Sequence, residues 1–246
     1  MLLALIFAAG LWAGLQNALA GGGSFVTLPA LMLTGMSPLA ANITSTVALF
    51  PGQLTSGFAG RKLVTGSGAL TFRALFVVSL LGGAAGGLLL LNTPSSVFAR
   101  LVPWLVLFGT AVFAWGSFFH RQGATSVHLG PAGTAFAQFV IAVYGGYFGG
   151  GVGFLMLAAL TMAGLPTRNA GATKNVLAGV MNASAVILFF TSPHLHWQEA
   201  IVLGSGAIIG GLCGAWALHR VNEKLLRIAV VCIGIALTIG LFARPL

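Results

Sequence analysis

Three adjacent glycines occur twice in this chain, each time between apolar runs. Ala20-Gly21-Gly22-Gly23-Ser24-Phe25 leads a short apolar arm to Gly35 and Pro38. Phe148-Gly149-Gly150-Gly151-Val152-Gly153 leads a similar arm to Gly164 and Pro166. A glycine inside a helix costs about 1 kcal/mol relative to alanine. Three together break the helix. A broken backbone at membrane depth survives only where it is buried in protein or lines a cavity. A break repeated in both halves of a membrane chain points to a transport site.

The flanking runs show that a membrane is the setting. The 246 residues are 58% hydrophobic and 5% charged, and mean hydropathy is +1.02. Soluble domains carry about 25% charged residues, so this is an integral membrane protein. Runs at 38–59, 70–91, 98–119, 167–190, 198–218 and 225–243 are long enough to span, at about 20 residues each. Runs 2–20 and 132–148 are marginal, and 24–35 and 152–164 are too short. Residues 1–20 end in Ala-Leu-Ala but lack a basic leader, so they read as mature structure.

The glycine runs, Ala30 with Ala158, Pro38 with Pro166, and Gly82, Gly83, Gly86 with Gly210, Gly211, Gly214 recur at an offset of 128. The expected fold is all-α and polytopic, with two inverted four-segment repeats. Each repeat has one glycine-broken, re-entrant-like helix and three spanning helices. The first repeat is 1–119, the linker 120–131 and the second repeat 132–246. Loop charges favour this over eight spans in parallel halves, which would divide ten cations five against five. If each broken segment turns back as a hairpin, Arg61, Lys62, Arg73, Arg121, Arg168, Arg220, Lys224 and Arg227 share one side. Only Arg100 and Arg244 face the other, as the positive-inside rule requires. The same rule explains the net charge of +9 without nucleic acid, and both termini are expected outside.

The chemistry follows from what is missing. The chain has no Asp, and Glu199 and Glu223 are its only acids. Cation carriers usually bury an acid, so a small anion is the consistent substrate. No metal or cofactor spacing is readable around Cys213, Cys232 or the five histidines. No nucleophile has a His or Asp partner, so no enzyme is expected. The breaks would free backbone N–H groups at helix starts, which favour anions. The expected substrate-binding residues are Gly21, Gly22, Gly23, Ser24, Thr44, Ser45, Gly149, Gly150, Gly151, Thr173, Lys174 and Asn175. Lys174 lies nearly two turns past Arg168, roughly 10 Å into its helix, where a cation needs a partner. Tyr144 and Tyr147 flank the second break and read mainly as packing groups. Gly82-Gly83-x-x-Gly86 and its copy read as contact faces between helices.

The first copy, GGGSFVTLPALMLTGMSPLAANITSTVA, resembles the TauE/SafE sulfite exporters, the TSUP permeases. The second, YGGYFGGGVGFLMLAALTMAGLPTRNAGATKNVLAGVMNASA, is similar to that family's second repeat. The resemblance implies a permease for sulfite or a small organosulfonate. It also implies site roles for the glycine runs, Thr44, Ser45, Thr173 and Lys174. Three features depart from the family pattern: Ser24 in place of a further glycine, Pro51 in the helix after the first break, and a basic loop shortened to Arg61-Lys62. The expected setting is the inner cell membrane, with lipid, a small inorganic or organosulfur anion and a second copy in a homodimer as partners. The alternatives are a non-transporting membrane scaffold or anchor subunit, or a transporter of a different small anion or solute.

Overall fold

The computed structural model describes residues 2–19, 22–59, 61–67, 70–119, 129–217 and 223–243. Gly21, linker residues 120–128, and Arg121, Arg220 and Arg244 lie outside the described residues. Among the described residues the protein is all-helical, with an isolated Ser67–Leu70 bridge as its sole β pairing. The helices are α1 (Leu2–Leu19), α2 (Ser24–Leu33), α3 (Pro38–Ala59), α4 (Phe72–Leu91) and α5 (Ser95–Ala114). They continue with α6 (Pro131–Tyr147), α7 (Val152–Met162), α8 (Thr167–Phe189), α9 (Trp197–Ala217) and α10 (Glu223–Ala243). A π turn at Trp115–Phe119 extends α5. Pro131 opens α6, where its missing N–H costs nothing.

By length and composition, Phe72–Leu91, Ser95–Phe118 and Thr167–Phe189 can each cross a membrane. At 22 residues α3 is as long, but Asn42, Thr44, Ser45, Thr46 and Gln53 make it more polar. Its polar groups, like those of α8, face other helices rather than lipid: Asn42, Thr44, Ser45, Thr173 and Asn182 are all buried.

Glycine contacts set the direction of each helix pair. Gly10 backs onto Leu203 and Gly14 onto Ala207, so α1 runs parallel to α9. Gly82 backs onto Phe139 and Ala142, and Gly86 onto Val143 and Tyr147, so α4 runs parallel to α6. A methyl group at any of these four positions would strike backbone, so only glycine permits the approach. Gly83 against Met181 and Gly87 against Ala185 make α4 parallel to α8.

Two further pairs run antiparallel. Asn182 Nδ2 donates to Gln53 Oε1 at 2.5 Å, and Gly57 faces Asn175 and Val176. Hence α3 and α8 cross in opposite directions. The Trp104 and Phe242 rings meet at 5.1 Å, and Gly234 faces Thr110, so α5 and α10 also oppose.

Both broken segments turn back. The Leu129 N–H, just ahead of α6, donates to the carbonyl of Met162 at the end of α7, at 3.0 Å. The second break is therefore the tip of a hairpin. In the first half, α9 returns from α8 and so runs with α3, and α1 runs with α9. The ten-residue α2 between two helices of one direction is the return arm. With these directions, Arg61, Lys62, Arg73, Arg168, Lys224 and Arg227 collect at one end of the bundle. Arg100 lies at the other.

Candidate functional site at the hairpin tips

Each tip is built on left-handed glycines. Gly22 has φ +82°, Gly149 +81° and Gly151 +73°, a region nearly closed to other residues. Gly35 and Gly164, at +94° and +90°, form the corners after the return arms. Gly22 to Gly151 and Gly35 to Gly164 are each 129 positions apart. The helix contacts outside the return arms keep an offset of 128: Gly82 against Phe139 recurs as Gly210 against Leu11. The arms are thus shifted by one residue relative to the rest of the repeat.

The two tips meet in the interior. A side chain started at Gly150 would touch the Phe25 ring at 3.5 Å. One started at Gly109 on α5 would press on both the Gly150 carbonyl and the Phe25 ring, at 2.9 and 3.1 Å. Phe113, fully buried on α5, packs edge-on between Phe25 at 6.2 Å and Phe154 at 4.9 Å. Such pairs contribute about 0.5–1.5 kcal/mol beyond burial and hold the first turns of both return arms in place.

The tips differ in their polar groups. At the first, the Gly23 N–H donates to Asn17 Oδ1 at 2.7 Å. The chain thus supplies its own acceptor for the Gly23 amide, while the Gly22 N–H donates to no partner among the described residues. At the second, Tyr144 Oη donates to the Gly150 carbonyl at 2.5 Å, and Gly149 N–H bonds the Tyr144 carbonyl at 3.2 Å. Among the described residues, the buried Gly150 and Gly151 amides donate to no partner. Lys174 Nζ lies 3.7 Å from where a side chain on Gly153 would begin, beside the first turn of α7. Among the described residues it has no hydrogen-bond or ion-pair partner.

Residues 6–241 match the sulfite exporter TauE/SafE family. The chain belongs to this family. A probable membrane transporter protein of Haemophilus influenzae is 30% identical over 96% of this chain and 93% of its own length. Probable membrane transporter protein ORF9 of a Sinorhizobium species is 28% identical over 99% and 94%. The probable membrane transporter YfcA of Escherichia coli K12 is 26% identical over 95% and 87%. No solved structure matches the chain. It is a multi-pass membrane transporter of the TauE/SafE family.

In this TauE/SafE chain the expected site residues do not all converge. Gly149, Gly150, Gly151 and Lys174 gather around the second tip, and Gly22, Gly23 and Ser24 form the first. Ser45 Oγ pairs with Thr27 Oγ1 at 2.6 Å, on the first return arm. Asn175 and Val176 face Gly57, twelve residues from Ser45 on α3, or about 18 Å of helix. Ser45 thus lies against the first return arm and Lys174 against the second. Thr44 Oγ1 accepts from His196 N at 3.3 Å. Thr173 Oγ1 donates to the Thr65 carbonyl at 3.1 Å and accepts from its N–H at 3.2 Å. Each of these hydroxyls thus anchors a loop of the other half. Asn17 and Gly109 were missed in the sequence. Gly109 gives no signal in one dimension. Asn17, six residues before a glycine break, is a readable capping candidate.

Proposed function

We propose that the protein is a permease for a small oxyanion, sulfite or an organosulfonate, bound at the second hairpin tip. One observation carries the reading: the Lys174 ammonium beside the first turn of α7. A helix start already bears about half a positive charge. A cation there is repelled unless an anion lies between. Among the described side chains no acid supplies that anion: Glu199, at the start of α9, lies 3.9 Å from His196. The unpartnered Gly150 and Gly151 amides offer it two donors, and Tyr144 fixes the carbonyl between them away from the ion. The family name favours a sulfur oxyanion.

The two halves, 1–119 and 132–246 with 120–131 joining them, are read as inverted repeats. Support comes from the equivalent pairs α3 with α8 and α5 with α10, which run antiparallel. That direction requires a two-fold axis lying across the helices. Movement of one repeat against the other would expose the tips to each side in turn. The cation-rich end faces the cytoplasm of an inner-membrane protein under the positive-inside rule.

Sulfite flux into proteoliposomes tests this. Lys174→Met is expected to lower flux at least tenfold, the scale of a charge-assisted hydrogen bond of about 1.5–3 kcal/mol. Lys174→Arg should retain part of it. Methanesulfonate should compete. Unchanged flux in Lys174→Met would overturn the site.

A further inference from the structure

A buried acceptor without a donor lies on the helix beside Lys174. Gln138 on α6 and Ser79 on α4 are 1% and 0% exposed. Ser79 Oγ donates to the Leu75 carbonyl at 2.8 Å, so toward Gln138 it can only accept. Gln138 Nε2 donates to it at 2.8 Å. That pins the amide with its oxygen turned away from Ser79. Gln138 Oε1 is buried and accepts from no group among the described residues. An acceptor in that condition is costly and draws any donor within reach. The register of the helices supplies one. A side chain begun at Gly145 on α6 would strike the Met181 sulfur on α8, and α6 and α8 both run with α4. Gln138 and Lys174 each stand seven positions before that contact. Seven residues are close to two full turns, so the two return to the same faces of the same helices. The Lys174 ammonium lies beside Gly153 on α7, which packs against both α6 and α8. It is carried on a flexible four-carbon stem with three donors.

We propose that Lys174 has two positions: beside the first turn of α7, where it holds the anion, and inward on Gln138 Oε1, where it lets the anion go. This rests on the anion reading of the second tip. Gln138 is then a positioning residue, which touches no substrate and acts through the lysine. A full charge and two amides hold an anion well, and the inward position gives them a way to release it. The ammonium exchanges one acceptor for another and so never lies unpaired within the bundle, where a lone charge is expensive.

Two measurements on the full chain test this. The first is made in lipid nanodiscs without anion. A small membrane-permeant acylating reagent is added, and modification of Lys174 is followed by mass spectrometry. Gln138→Leu and Gln138→Met remove the acceptor and keep the bulk. Both should speed the modification roughly tenfold, the scale of one hydrogen bond to a charged group. Gln138→Glu offers a carboxylate instead and should slow it. Unchanged rates in the folded Leu and Met variants, as expected if Gln138 Oε1 is served by water, would overturn the proposal. The second is sulfite uptake into proteoliposomes. In Gln138→Leu the KM and the turnover should both fall, roughly tenfold on the same scale, because the ammonium stays with the anion. In Gln138→Glu the KM should rise. A residue that only packs would lower turnover without moving KM in opposite directions. Saturable uptake with the wild-type KM in both variants would also overturn the proposal. If the wild type shows no saturable sulfite uptake, the substrate reading fails, and the modification rates alone decide the two positions.

Discussion

Lys174 and Gly109 show how little room single residues have at the tips. A Gly109→Val side chain would meet the Gly150 carbonyl and the Phe25 ring at once. Overpacking of that kind costs typically about 1–3 kcal/mol. The expected result is a lower unfolding temperature in detergent and lost flux. Gly153 is different. A methyl there meets Lys174 only at ordinary contact distance, so Gly153→Ala should fold normally. Gly153→Leu would cover the ammonium and should weaken sulfite binding at least tenfold in titration. Tyr144→Phe frees the Gly150 carbonyl to turn toward the ion. It should lower sulfite affinity by about 0.5–1.5 kcal/mol, the net worth of one hydrogen bond. At this scale the sequence was half informative. Lys174 announced itself as a cation without an acid. The engagement of Thr44 and Thr173 with loops of the other half was unreadable, because their partners lie more than a hundred positions away.

At the scale of elements, glycine faces and loop charges spoke most clearly. Gly82 and Gly86 do form a contact face, and the charge count pointed to hairpins that the Leu129–Met162 bond closes. What the pattern could not supply was the partner. Spacing of four marks a flat side of a helix but does not say that α4 meets α6, or α1 meets α9. The one-residue slip of the return arms was also hidden, since the run of three glycines aligns equally well either way. Gly86→Leu would drive α4 off α6, and Gly10→Leu would drive α1 off α9. Both variants should lose the folded peak in size-exclusion chromatography. Gly171→Leu, facing open space, should keep it.

Across the whole molecule, the halves are interlocked. The first helix of each half lies along a late helix of the other: α1 along α9, and α6 along α4. Single cysteines at positions 61 and 168 should react with an impermeant thiol reagent from one side of the membrane, and one at 100 from the other. Halves 1–119 and 132–246 made separately should associate and transport when expressed together. Neither should be recovered folded when expressed alone.

The pairing of α1 with α9 also has a consequence in time. Gly10 meets Leu203, and the chain between them takes on the order of 10–40 s to synthesise at about 5–20 residues per second. During that interval α1 sits in lipid with its glycine face uncovered. The same holds for the tip it leads into, which lacks the second tip against which it rests. The earliest helix therefore lies in lipid without its partner until one of the last arrives. Mutations that delay or weaken α9 are expected to be read by the cell as a defect of the N-terminal segment.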